Sequence, residues 1–113
     1  VSILEEKAEI YLKNFRPARY MIEAFDTTSK ADEIIAGIHP YDRTCRPQTV
    51  NNYNLVFKKI IEEFNKITGV PAVLNTSFNL HGYPIVGSPE IALSTFENSG
   101  LDGLVLENWL IEK

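Results

Sequence analysis

The stretch from Tyr53 to Leu74 most constrains what this chain can fold into. Tyr53, Phe57, Ile60, Ile61, Phe64 and Ile67 recur at helical spacing, and Asn51 or Asn52 stands where an N-cap belongs. Gly69 and Pro71 stop the pattern. Ala72, Val73 and Leu74 then supply the apolar run of a buried strand. A helix feeding directly into a strand is an αβ unit, which hides one helix face by packing it on a sheet.

Past that strand, Asn75, Thr76, Ser77 and Asn79 crowd short donors and acceptors at its carboxyl end. Ligands of α/β sheets gather at such places. If strand geometry persists, Asn75, Ser77 and Asn79 share one side of the backbone and Thr76 points to the other. Such groups reach phosphate or carbonyl oxygens without bringing a carboxylate's charge. The alternative is that they are turn formers bonded to their own backbone ahead of Gly82 and Pro84. Both readings stay open.

Leu4, Ala8, Tyr11, Leu12 and Phe15 predict an amphipathic helix ending before Pro17, with Glu5 and Glu6 early and Lys13 and Arg16 late. Arg19 to Asp26 reads as a strand, and Thr27 to Gly37 as a connection with a short helix at Ala31 to Ile35. His39 to Val50 holds two prolines and little periodicity, a loop leading into a short edge strand and long enough to be functional. Ser88-Pro89-Glu90 starts a helix that Gly100 ends, with Ile91, Ala92 and Phe96 facing inward. Leu101 to Ile111 closes the chain as one strand, or as two broken near Glu107 and Asn108. This interleaving predicts an α/β fold, with α+β as its variant: a single mixed, twisted sheet carrying helices, over 1–113 as one domain.

The 113 residues carry a formal charge of −4, which argues against nucleic acid as a bulk electrostatic partner. The apolar runs fall far short of the ~20 residues of a membrane span, and no signal-peptide pattern opens the chain. A cytoplasmic location is the expectation. Cys45 stands alone, so it forms no internal disulfide, and it reads as a small buried side chain rather than a nucleophile. His39 and His81 sit singly in loops with no ligand spacing around them, which favours helper or solvated roles over metal binding. Local charge is more telling. The four arginines, Arg16, Arg19, Arg43 and Arg46, all precede residue 47, and Arg43 and Arg46 share one loop. The guanidinium fork suits carboxylate or phosphate, so the loop holds either an anion site or two solvated cations. Asp42 either pairs with Arg46 or leaves it free. Phosphate-loop, dinucleotide and Ser-His-Asp patterns are absent. With Val1 first and Met21 the only methionine, the chain is expected to be a piece of a longer protein.

Four segments in order, RPQTV (Arg46 to Val50), TGVPAVLNTSFNLHGYPIV (Thr68 to Val86), SPEIAL (Ser88 to Leu93) and SGLDGLVLEN (Ser99 to Asn108), together resemble the C-terminal domain of NodU/CmcH-type O-carbamoyltransferases. The resemblance implies a YrdC-like fold that makes carbamoyl-adenylate from carbamoyl phosphate and ATP. A separate metal-bearing N-terminal transferase domain of the same polypeptide then passes the carbamoyl group to an acceptor hydroxyl. ATP would enter with Mg²⁺, and the metal of the N-terminal domain would lie outside this chain. Ser77-Phe78-Asn79 matches the Ser-x-Asn element of the YrdC pattern, and Arg46 falls where an arginine would meet the substrate phosphate. The substrate-binding set so implied is Arg46, Ser77 and Asn79, with Asn75 and Thr76 shaping the pocket. The Lys-x-Arg partner of the pattern is missing, and His39-Pro40-Tyr41-Asp42 is one residue longer than the family's His-x-Asp turn. The fragment alone is therefore expected to be inactive. The rival expectation is a non-catalytic regulatory or interdomain-docking module of the same enzyme.

Overall fold

The computed structural model describes residues 1–113. In chain order its strands are β1 (Ser2–Leu4), β2 (Phe25–Asp26), β3 (Thr44–Cys45), β4 (Gln48–Val50), β5 (Ala72–Val73), β6 (Gly103–Leu106) and β7 (Trp109–Glu112). Its α-helices are α1 (Leu55–Thr68) and α2 (Pro89–Glu97). The residues divide into two compact units, Val1–Asn75 and Thr76–Lys113.

In the first unit β1 is the middle of a three-stranded mixed sheet, parallel to β4 and antiparallel to β5. Side-chain alternation along β1 divides the core in two. Ile3 points toward Ala8, Tyr11, Leu12, Phe25, Ala31 and Ile34, while Leu4 packs with Val50 and Ile61 beneath α1. The expected helix before residue 69 is present with the expected stop: Gly69 adopts φ 78° and its N–H donates to Asn65 O at 2.8 Å. Its start is a relay. Asn51 accepts from Tyr53 N–H to cap a short 3₁₀ turn, Asn52–Asn54, and Asn54 accepts from Phe57 N–H to cap α1. The edge strand after the His39 loop is β4, as expected.

Two local expectations need correction. The segment beginning at Leu4 is not an α-helix: Ser2–Leu4 is strand and Glu5–Ile10 is a 3₁₀ helix. Pairing with β4 and β5 captures the first residues, and Ala8, Tyr11 and Leu12 are still buried. Arg19 to Asp26 is strand only at Phe25–Asp26, because Met21 takes a left-handed φ of 56° that interrupts extended geometry, leaving Tyr20 and Ile22 exposed. The connection after Thr27 is helical over a longer stretch than expected, a 3₁₀ segment at Ser29–Gly37 capped by Thr28.

The second unit packs α2 against the β6–β7 hairpin through Ala92, Phe96 and Leu104. Ser88 accepts from Ile91 N–H at 3.3 Å and Pro89 begins the helix. Ile91 is exposed, whereas Ala92 and Phe96 face inward as expected. The closing segment is two strands broken at Glu107 and Asn108, with Glu107 at φ 51°. The molecule is thus α+β. Its strands are shared among three small sheets rather than one, because β2–β3 and β6–β7 each form a separate two-stranded sheet.

Candidate functional site

The loop from His39 to Arg46 is built around the Asp42 carboxylate. Asp42 Oδ1 accepts from Thr44 N–H at 2.9 Å and from Thr44 Oγ1 at 2.8 Å, and lies 3.0 Å from His39 Nδ1. The Thr44 backbone bond, then its hydroxyl, then His39 hold the Asp42 carboxyl below the usual carboxylate range. Backbone bonds lock the turn from outside: His39 N–H donates to Thr44 O at 2.8 Å, and Arg43 N–H to His39 O at 3.0 Å. Arg43 sits at φ 58°, and its carbonyl accepts from Thr27 Oγ1 at 2.7 Å.

This frame separates the two loop arginines. Arg43 is ion-paired with Asp32, whereas Arg46 is exposed and has no carboxylate partner; Asp42 is taken by Thr44 and His39. Arg46 borders a polar hollow of about 610 Å³ together with His39, Asp42, Thr44 and Asn75. Asn75 is anchored there by its Nδ2, which donates to Gln48 Oε1 at 3.3 Å, and the same oxygen accepts from Ser2 Oγ at 2.9 Å. The arrangement can receive a small anion: an unpaired guanidinium and an imidazole on one hydrogen-bonded loop, beside the Asn75 amide from the segment after β5.

Of the other sequence-derived candidates, Thr76 and Ser77 are exposed and belong to the second unit. Strand geometry ends at Val73, so the alternation that would align Asn75, Ser77 and Asn79 does not extend to them. The Asn79 amide donates to Leu80 O and Tyr83 O, both at 3.0 Å, fixing the turn before Gly82. Its turn-forming reading is therefore realised, with Oδ1 outside those bonds. Cys45 is buried and its thiol is pushed up by desolvation, in keeping with an inert packing role. Gln48 and the Asp42–Thr44 hub were not singled out from sequence. The Asp-x-Thr spacing, which lets an Asp side chain accept from the N–H two residues on, was the usable signal. No group of three or more His, Cys, Asp or Glu side chains is placed to hold a metal, and no helix is long and apolar enough to cross a membrane.

An α+β domain with an unpaired arginine in a polar hollow is the general class. Comparison with known sequences makes it specific: the profile of the Carbamoyltransferase C-terminus family matches residues 1–113, and the chain belongs to that family. Among similar proteins is an uncharacterized protein, MJ1051, of Methanocaldococcus jannaschii, 39% identical over 113 residues, covering 99% of this chain and 22% of that protein. The nodulation protein NolNO of Sinorhizobium fredii is 36% identical over 116 residues, covering 99% and 17%. The nodulation protein NolO of Bradyrhizobium diazoefficiens is 34% identical over 116 residues, covering 99% and 21%. The chain thus spans about a fifth of the length of these relatives.

Proposed function

We propose that this domain binds carbamoyl phosphate and ATP in a full-length carbamoyltransferase and forms carbamoyl-adenylate, with a separate N-terminal domain passing the carbamoyl group to an acceptor hydroxyl. The observation that carries the reading is the free guanidinium of Arg46 in a hollow shared with Asn75. Phosphate charge is neutralised by the arginine fork. Asn75 keeps its Oδ1 for the carbamoyl amine while Nδ2 is held by Gln48. Ser77 enters through the Ser-x-Asn match as a donor to the substrate, Asn79 as an acceptor through the Oδ1 that its turn leaves unused, and Thr76 as a neighbour that shapes their loop.

Atom balance requires water to release phosphate from carbamoyl phosphate, after which the carbamate oxygen takes the α-phosphorus of ATP and pyrophosphate leaves. Such a reaction runs on positioning and charge stabilisation without a protein nucleophile. Mg²⁺ would enter as the ATP complex, held through the phosphates. In the complete enzyme, Arg46→Ala is expected to abolish carbamoyl-adenylate synthesis while transfer from preformed carbamoyl-adenylate survives. Equal loss of both half-reactions counts against the assignment.

A second reading, a docking module, has its own support. The outward side of α1 leaves Val56 74%, Ile60 56% and Ile67 84% exposed. Beside it Ile35, Phe64, Val70 and Leu74 line an apolar cleft of about 350 Å³. Several large apolar side chains exposed on one helix face beside an apolar cleft suit an interaction face. Its occupant in this proposal is the N-terminal portion of the same polypeptide, which the relatives' greater length provides. The two readings are compatible: one face binds substrate and another binds the rest of the enzyme.

A further inference from the structure

We infer that His39 is a second ligand of the anion held by Arg46, contacting it through Nε2; this rests on the function proposed above. The imidazole belongs to a residue that lines the same hollow as Arg46. Its Nδ1 is occupied by Asp42 Oδ1 at 3.0 Å, and Nε2 has no protein partner. A carboxylate fixed on one ring nitrogen sets the ring's orientation and directs the opposite nitrogen away from it.

The carboxylate is itself immobile. Asp42 is tied to Thr44 by two bonds, and the His39 backbone is tied to Thr44 and Arg43, so ring, carboxylate and turn are one unit. The Tyr41 ring stands 5.9 Å from the imidazole, tilted by 52°, and bounds a further side. In the neutral ring with a proton on Nδ1, Nε2 presents a lone pair; in the imidazolium it presents an N–H. It is the N–H form of Nε2 that can donate to a phosphate oxygen. His39 is then a ligand, and Asp42 and Thr44 are positioning residues.

The test is calorimetric titration of the complete carbamoyltransferase with carbamoyl phosphate and, separately, with inorganic phosphate. His39→Ala and His39→Asn are expected to weaken binding about tenfold, the worth of one hydrogen bond to a charged group. His39→Gln is expected to recover most of it, since its amide nitrogen reaches the Nε2 position and that of Asn reaches only Nδ1. A purely structural histidine would give no such Gln-over-Asn rescue. Wild-type affinity in all three variants, or equal loss in all three, overturns the inference while leaving Arg46 in place. Wild-type affinity in Arg46→Ala overturns the underlying reading, and this inference with it.

Discussion

Thr49 Oγ1 donates to Glu5 Oε2 at 2.9 Å and accepts from Ala18 N–H at 3.0 Å, so a fully buried hydroxyl ties the edge strand to two separate segments. The other Glu5 oxygen accepts from Asn51 Nδ2 at 2.8 Å. Thr49→Val keeps the side-chain shape but strands the buried Ala18 N–H and removes a donor from the carboxylate. The expected destabilisation is about 1–3 kcal/mol. It should appear as a lower urea midpoint with an unchanged slope, and Thr49→Ser should recover most of it. Equal stability of the three proteins would show that the network contributes nothing.

Gly69 ends α1 at φ 78°, and a Cβ built there meets nothing within 4 Å. The cost of Gly69→Ala is therefore backbone strain alone, about 1–2 kcal/mol. Asn tolerates the left-handed region better than Ala. Gly69→Asn is expected to unfold at a temperature between those of the wild type and Gly69→Ala, read by thermal circular dichroism. An Ala variant as stable as the wild type would refute the strain argument.

Tyr11 is fully buried, with its hydroxyl donating to Glu33 Oε2 at 3.1 Å. Burial first, then the bond to Glu33 and its charge, push the phenol up to about 12 from its ordinary 10.0. The folded state therefore binds the Tyr11 proton more tightly than the unfolded state does. The resulting stability is present in full below pH 10 and is lost as pH rises through 12. Tyr11→Phe lacks this dependence, so the gap between the two proteins' unfolding free energies should shrink across that window. A constant gap from pH 9 to about 12 would contradict the linkage.

What was legible in the sequence was local. The α1 period and its glycine stop act within a few residues, as do the Ser88-Pro89 start and the break at Glu107, whereas the α1 cap is Asn54 rather than the expected Asn51 or Asn52. What was hidden was non-local: Ser2–Leu4 is a strand only because Gln48–Val50 and Ala72–Val73 flank it. The site divides the same way. Two arginines in one loop suggest an anion, but Arg46 is free and Arg43 is not because Asp32, from another segment, claims the latter. Likewise, the Asn79 amide is committed to carbonyls of its own turn, an outcome that the Ser-x-Asn pattern does not encode.

The outward face of α1 yields a prediction that differs between the isolated chain and the complete enzyme. Ile60 and Ile67 are 56% and 84% exposed, so they add little to the fold of this chain by itself. Glutamine suits a helix at least as well as isoleucine. Ile60→Gln with Ile67→Gln should thus shift the stability of the isolated chain by no more than about 0.5 kcal/mol, the usual range for surface changes. On the docking reading, the same pair in the complete protein would remove apolar contact with the N-terminal portion. Proteolysis at the junction should accelerate, and carbamoyl transfer should drop relative to adenylate synthesis. If the double variant leaves proteolysis and transfer untouched in the complete enzyme, α1 does not seat the rest of the polypeptide, and the docking reading loses its only support.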